Sequence, residues 1–363
     1  MLSKFDSLIL YLTIYLFSAI CISNSKKKKR GASKALYLLG IIGPIILAAF
    51  RYQVGTDYYN YHLMYKSYAL MSAQQYFTSR ELLYGWGVWF ISKISLVLGG
   101  ERSFFGAFAF LILYFGLKGF ERFTNVNWFL IVYAFLLGPF SVGLNTMKQA
   151  AALAIIFWGL KFVYEKNIVK YILSVLLAVM LHTSALIAVP IYFIYHSDED
   201  KIWNFRSVIA VFIAIVASAN VMNILLAISK IDFMNISRFS SYSTGGTGNL
   251  SFFLLLFEFL LIILHQKKLA IIDEKNKLLI VLMGLGLSLN AIGFISVYVK
   301  RVSSYFTAYS LLVLFSQLGK AVPQYRYNKR ITETFLCLFF ITVFILYYYF
   351  RGQGDIIPYQ FQL

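Results

Sequence analysis

Residues 35–50 read ALYLLGIIGPIILAAF, and residues 51–61, which follow directly, read RYQVGTDYYNY. The first stretch is apolar throughout and approaches the length that a helix needs to cross a hydrocarbon core of about 30 Å. The second stretch places an arginine, a Gly-Thr-Asp turn and several tyrosines where this helix must leave the membrane. Charge at a membrane boundary is costly unless it serves a function. We therefore expect the functional site close to residues 51–61.

Apolar runs of similar length recur along the chain of 363 residues, of which 60% are hydrophobic and 13% are charged. A bundle whose outer surface faces lipid has this composition, whereas a soluble domain does not. The sequence predicts an all-α, polytopic integral membrane bundle of about 12 to 13 transmembrane or re-entrant helices, forming a single domain over residues 1–363. The two cysteines, Cys21 and Cys337, form no metal-binding motif, and we expect neither a metal nor a cofactor. The predicted spans are residues 5–23, 35–50, 82–98, 104–120, 128–145, 149–164, 169–183, 184–196, 207–229, 251–266, 278–299, 303–318 and 331–350.

The formal net charge of +18 is typical of nucleic-acid-binding proteins, but the basic residues are spread over short loops between the apolar runs. These loops are too short to form a nucleic-acid-binding module, so we expect no nucleic-acid partner. Lysine and arginine concentrate in the cytoplasmic loops of membrane proteins. This rule predicts that the basic loops at about 24–34, 265–277 and 319–330 face the cytoplasm. The loops at about 51–81 and 230–250 then face outward.

Two segments must deviate from simple alternation if the basic loops are to stay on one side. One segment between residues 60 and 120 must be re-entrant or an extra partial crossing, and the glycines of Tyr84–Gly87 favour a helix break there. Residues 171–196 must form two short helices that turn near His182, with Ser184 as the N-cap of the second helix. This arrangement places His182 on the predicted external side.

Polar residues that suit a sugar phosphate converge on this external side. Arginine and lysine bind phosphate or pyrophosphate, a carboxylate or an imidazole accepts a proton from a hydroxyl, and exposed tyrosines stack on sugar rings. A lipid-phosphate-linked sugar is a substrate that needs all three. The candidates are His182 and Asp57 as catalytic residues, and Arg51, Arg301, Lys148, Gln149, Asn145, Tyr58, Tyr61, Arg238 and Tyr242 as substrate-binding residues.

Several of these candidates also have a structural alternative. Arg51 and Arg301 suit anchors at helix ends, whose charged groups reach the membrane interface. Asp57 suits the N-cap of a helix that starts at Tyr58. His182 suits a core histidine whose hydrogen bonds are satisfied within the protein. Asp57 and His182 both remain open as the base, and we favour His182 because an imidazole accepts a proton near neutral pH.

Residues 50–61, FRYQVGTDYYNY, closely resemble the signature of the EpsG family of polysaccharide polymerases, which are relatives of the Wzy polymerases. The resemblance adds Glu81 to the substrate-binding candidates. At Lys148 the family usually has an arginine, so the charge is kept while the bidentate fork of a guanidinium is lost. Segments similar to other characteristic motifs of the family follow in order: ELLYG (81–85), NTMKQAA (145–151), LHTSAL (181–186) and RVSSYF (301–306).

The resemblance implies a bacterial polymerase that joins oligosaccharide repeat units carried on undecaprenyl pyrophosphate. The implied site is the outer face of the cytoplasmic (inner) membrane, and the product is exopolysaccharide, capsule or O-antigen. Such an enzyme is a metal-independent, multi-pass glycosyltransferase whose leaving group is the lipid pyrophosphate. The implied partners are the lipid-linked oligosaccharide, membrane lipid, and the chain-length regulator and flippase of the same pathway. Two alternatives remain open: a glycan ligase resembling the O-antigen ligases, and a transporter or flippase of lipid-linked glycans.

Single cysteines in a cysteine-free variant, treated in whole cells with an impermeant thiol reagent, test the predicted orientation. We expect labelling of Gly245→Cys, which lies in the second external loop, and no labelling of Lys28→Cys, which lies in the first basic loop. Labelling at residue 28 without labelling at residue 245 would overturn the orientation.

Overall fold

The computed structural model describes residues 1–78, 85–196, 249–292, 297–322 and 326–361. Within these ranges six helices are long and apolar enough to cross a membrane, and four shorter apolar helices accompany them. The predicted all-α, multi-pass membrane bundle is confirmed. The predicted span at 207–229 lies outside the described residues. The six long helices are Lys4–Ser25, Gly31–Ala49, Glu101–Phe120, Trp128–Asn145, Met147–Tyr164 and Asn328–Phe350.

The chain divides into two compact units, of which the first comprises Met1–Leu186 and Val322–Leu363 and the second comprises Ile187–Ala321. The assignment of residues 1–363 to one domain stays a prediction. In chain order the described helices are α1 (Lys4–Ser25), α2 (Arg30–Ala49), α3 (Tyr58–Leu70), α4 (Ala73–Thr78), α5 (Trp86–Leu98), α6 (Glu101–Phe120), α7 (Trp128–Phe135), α8 (Ser141–Asn145), α9 (Met147–Tyr164), α10 (Ile168–Val179), α11 (Pro190–His196), α12 (Asn249–Leu264), α13 (Gln266–Ile272), α14 (Asn276–Ile292), α15 (Val297–Ala321) and α16 (Arg326–Phe344).

The helices of the first unit meet at two distinct ends. At one end the Lys26 amino group lies 2.7 Å from the Glu121 carboxylate and 4.4 Å from the centroid of the Trp128 ring. Burial acts to raise the pKa of Glu121, but hydrogen bonds from Lys26 and Lys118 outweigh burial and lower this pKa. This end therefore holds the last turn of α1, the last turn of α6 and the first turn of α7. The end of α2 and the start of α6 lie at the opposite end.

The chain leaves this opposite end of the unit after Ala49, the last residue of α2. It is at the same end again at Glu101, whose carboxylate lies 2.6 Å from the His62 imidazole of α3. Helix α5 has 13 residues, and its length of about 20 Å is too short to cross a hydrocarbon core of about 30 Å. The geometry agrees with the predicted re-entrant segment between residues 60 and 120.

The structure has the predicted break between two short helices near residue 182. Helix α10 ends at Val179, and a 3-10 turn over Thr183–Ala188 precedes α11. The expected role of Ser184 as an N-cap is wrong, because this residue lies inside the 3-10 turn. Its hydroxyl is instead 2.6 Å from Nδ1 of His182.

The second unit is built around α14 and α15. A Cβ atom added to Gly286 of α14 would lie 2.2 Å from a methyl group of Thr307 in α15, so the two helices approach closely. The Asn276 side chain donates a hydrogen bond of 2.6 Å to the Gln317 carbonyl oxygen, and both residues are fully buried. Helices α12 and α13 bend by 70° at the break between them.

The crossing of α6 and α9 in the first unit gives a stability test. A Cβ atom at Gly119 would lie 2.3 Å from the Phe157 ring, which stacks on Phe123 with 5.9 Å between ring centroids. Overpacking of this kind costs about 1–3 kcal/mol. We expect Gly119→Ala to lower the melting temperature of the purified protein by a few degrees. Gly31→Ala, whose Cβ would meet nothing within 4 Å, is the control; equal melting temperatures for the two variants would contradict this packing.

Candidate functional site

The Arg51 side chain turns into the first unit and is only 1% exposed. Its guanidinium donates a hydrogen bond to the backbone oxygen of Leu144 and lies 3.8 Å from the Met147 sulfur. The guanidinium carbon lies 4.5 Å above the centroid of the Phe105 ring. Within the described ranges, no carboxylate is within ion-pair distance of Arg51, and its Nε has no hydrogen-bond partner. Burial lowers the pKa of Arg51 to about 10, so the group is still charged at neutral pH.

The alternative interpretation of Arg51 as an interfacial anchor is therefore wrong. The chain instead places this charge where a long helix is interrupted. The last residues of α8 are Leu144 and Asn145. Thr146 has non-helical dihedral angles, and α9 starts at Met147. A cation at a helix C-terminus interacts favourably with the helix dipole and satisfies a terminal carbonyl group. Arg51 thereby fixes the break between α8 and α9.

Asn145, at this break, holds the loop that follows Arg51. Its Oδ1 accepts hydrogen bonds from the Thr56 hydroxyl, at 2.8 Å, and from the Asp57 backbone N–H, at 2.9 Å. Gly55 has a φ angle of +102°, and a Cβ atom there would lie 3.2 Å from the Leu144 oxygen. Glycine is the residue that adopts this conformation without strain. The Gly-Thr-Asp turn is thus shaped to fit against Asn145.

The C-terminal tail, residues 352–361, covers the other side of this loop. Backbone N–H groups of Gly55 and Thr56 donate to the carbonyl oxygens of Asp355 and Gly354, at 3.0 and 3.1 Å. Tyr359 is fully buried and donates to the Leu47 oxygen at 2.7 Å, which attaches the tail to α2. The sequence analysis did not assign a role to the tail, because its contacts depend on residues about 300 positions away.

Asp57 has a carboxylate that no residue in the described part of the chain binds. It occupies the N-cap position of α3, as the alternative interpretation expects, but its side chain makes no capping hydrogen bond. Its backbone N–H is already bound by Asn145. The carboxylate, in a half-buried residue, has neither a hydrogen bond nor an ion pair with any described residue.

Two of the three tyrosines that follow the Gly-Thr-Asp turn are buried. Tyr58 and Tyr61 are 4% and 6% exposed, because their spacing in α3 directs both toward the interior. Tyr58 stacks on Phe105 at 5.1 Å, and the Tyr61 ring lies 5.9 Å from the Lys148 amino group. The assignment of Tyr58 and Tyr61 as substrate-binding residues stays a prediction. Tyr59, which is 66% exposed, is the tyrosine of this turn that faces outward.

His182 lies at the end of α10, away from the hydrogen bonds of the loop. Its Nδ1 is bound to Ser184, and the neighbouring Met180 oxygen accepts a hydrogen bond from Gly87 of α5. Among the described residues, the hydrogen bonds of Arg51 and Asp57 do not include His182. Its role as a base stays a prediction.

The other predicted residues fall into three groups. Lys148 is half-buried and Gln149 is buried, both in the first turn of α9 beside Asn145. Arg301 is exposed near the start of α15 in the second unit. The residues that lie outside the described ranges are Glu81, Arg238 and Tyr242.

Two polar residues that the sequence analysis did not select meet next to Tyr58. His62 Nδ1 and Glu101 Oε1 are 2.6 Å apart, with side chains that are 24% and 13% exposed. They are separated by residues 63–100, and the contact depends on the return of this segment to the same end of the unit. The only sequence signal was the position of His62 just after the Gly-Thr-Asp turn.

The role of Asn145 can be tested by hydrogen exchange of the peptide that covers residues 52–58. Asn145→Ala removes the acceptor for the Asp57 N–H, and we expect exchange of this peptide to accelerate about tenfold. Thr56→Val removes only the hydroxyl bond to Asn145, and the Asp57 N–H stays protected. Equal acceleration in both variants would contradict the assignment of Asn145 as the residue that holds the loop.

Comparison with known proteins tests the resemblance stated above. A search of curated proteins and a search of solved structures found no match. The model of the EpsG family matches residues 34–361 of 363. This range contains the loop after α2, the break between α8 and α9 and the C-terminal tail. Because the match covers nearly its entire length, the chain belongs to the EpsG family.

Proposed function

We propose that this protein polymerises oligosaccharide repeat units carried on undecaprenyl pyrophosphate, at the outer face of the bacterial cytoplasmic membrane. Membership of the EpsG family implies an exopolysaccharide-polymerase-like function, and the helices make the protein a multi-pass membrane protein. The proposal adds the lipid pyrophosphate donor, the face of the membrane and a metal-independent glycosyl transfer. It also includes the flippase and the chain-length regulator of the pathway as partners.

The observation that carries the proposal is the charge distribution at one end of the first unit. Arg51 is a buried cation with no carboxylate partner in the described ranges, and Lys148 lies two residues after Thr146, which is at the α8–α9 break that Arg51 fixes. Burial strengthens electrostatic interactions, because the local dielectric constant is low. These two cations suit a pyrophosphate, and a half-buried lysine is better placed for direct contact than a fully buried arginine.

The proposed reaction is a substitution at the anomeric carbon of the sugar joined to the pyrophosphate. A hydroxyl of the acceptor repeat unit attacks this carbon, a new C–O bond forms, and the bond to the pyrophosphate oxygen breaks. Lys148 neutralises the leaving group, with Arg51 adding positive potential. Asp57 orients the acceptor hydroxyl. Asp57 and His182 are the residues that the sequence offers for proton transfer.

The remaining predicted residues stay proposals for contacts with the substrate. Asn145 holds the loop and, with Gln149, provides amide groups next to Lys148. The additional contacts that we propose with phosphate or sugar are Arg301, Arg238, Tyr58, Tyr61, Tyr242 and Glu81.

Polymerisation of purified lipid-linked repeat units in proteoliposomes tests the role of Lys148. We expect Lys148→Gln to lower the rate about 100-fold or more, because a charge that stabilises the leaving group is lost. Lys148→Arg keeps the charge and adds a second donor, so most of the activity should remain.

Lys161→Gln is the matched control, because Lys161 lies near the other end of α9, 3.8 Å from Glu165. It should retain the wild-type rate. Full activity of Lys148→Gln would remove Lys148 from the site. A wild-type protein that binds the lipid-linked unit but forms no polymer would contradict the proposed function.

A further inference from the structure

The His62–Glu101 pair has the geometry of a histidine oriented by a carboxylate. Nδ1 of His62 lies 2.6 Å from Oε1 of Glu101. An ionised carboxylate only accepts hydrogen bonds, so the ring nitrogen donates and Nδ1 carries the proton. In the neutral ring this leaves the lone pair on Nε2. Nε2 has no hydrogen-bond partner among the residues that the structure describes.

The partial exposure of the His62 side chain favours a function for its Nε2 atom. The His62 side chain is 24% exposed, whereas that of Glu101 is 13% exposed. The imidazole is roughly parallel to the rings of Tyr58 and Tyr59 in the preceding turn of α3, whose centroids are 6.3 and 6.2 Å away. The ring is therefore oriented by its bond to the half-buried Glu101, while part of it still reaches solvent.

The pair lies among the groups that the proposed reaction needs. His62 is five residues after Asp57 in the first turns of α3, and Tyr61, its neighbour, contacts Lys148. Burial, followed by the negative charge of Glu101, raises the pKa of Tyr58 to about 12. Tyr58 is thus neutral at physiological pH and adds no charge beside the imidazole.

We infer that His62 is the catalytic base of this site and that Glu101 is its positioning residue. The inference rests on the proposed function, which it deepens by naming the proton acceptor. As the acceptor hydroxyl forms its bond to the anomeric carbon, its proton passes to Nε2 of His62. The electrons of the breaking C–O bond stay with the pyrophosphate. The imidazolium is stabilised by Glu101 and then returns its proton to water or to the departing pyrophosphate.

Steady-state kinetics of purified variants on lipid-linked repeat units test this assignment. We expect His62→Gln to lower kcat about 100-fold or more. Glu101→Gln keeps a hydrogen-bonding group but loses the charge that fixes the tautomer, so kcat should fall about tenfold or more with KM unchanged. His265→Gln, a variant of a histidine in the second unit whose Nδ1 lies 3.0 Å from the Leu261 oxygen, should retain the wild-type kcat.

Chemical rescue distinguishes a catalytic His62 from a histidine that only forms a structural ion pair with Glu101. Imidazole added to the buffer should restore turnover to His62→Ala and not to Asp57→Asn, because only the first variant lacks a base of that chemistry. Melting temperatures measured in parallel should stay within a few degrees of wild type. Wild-type kcat in His62→Gln, with Lys148→Gln inactive, would overturn this inference and leave the proposed function standing. Rescue of His182→Ala by imidazole, without rescue of His62→Ala, would assign the proton to His182 and also overturn it.

Discussion

The rest of the site depends on one buried positive charge. Moving the Arg51 guanidinium out of water is costly, and in the described ranges no carboxylate compensates for it. The compensation comes from the Leu144 carbonyl group and from the face of the Phe105 ring. These contacts join three elements that are far apart in sequence: the loop after α2, the end of α8 and the start of α6. A charge held in this way fixes the position of each element.

The polar groups of the site follow from this constraint. With α8 ending at a fixed position, the Asn145 amide oxygen can bind the Gly-Thr-Asp turn, and the C-terminal tail closes over the same turn. The turn then starts α3, which carries Asp57, Tyr61 and His62 on its first two turns. The side chains that remain available for substrate are thus presented by a rigid frame, as catalysis by positioning requires.

The helices could be predicted from the sequence, because membrane thickness imposes a length on each apolar run. The balance of basic loops also indicated the re-entrant segment between residues 60 and 120. The direction of the Arg51 side chain could not be predicted, because an arginine at a helix end reaches the interface or turns inward depending on distant partners. The pairing of His62 with Glu101 and the burial of Tyr58 could not be predicted either, because each depends on α6 starting at the same end of the unit as α3. Three predicted site residues, Glu81, Arg238 and Tyr242, lie outside the described residues.

The central claim is that the positive charges of Arg51 and Lys148 receive a lipid pyrophosphate at this end of the first unit. The most direct test compares the thermal stabilisation of the purified wild-type protein by undecaprenyl pyrophosphate and by undecaprenol, which share the same lipid chain. Binding to the folded state raises the melting temperature in proportion to the binding free energy. The account predicts stabilisation by the pyrophosphate at concentrations where the alcohol has no effect, and a loss of this difference in Lys148→Met. Equal stabilisation by the two lipids in the wild-type protein would contradict it.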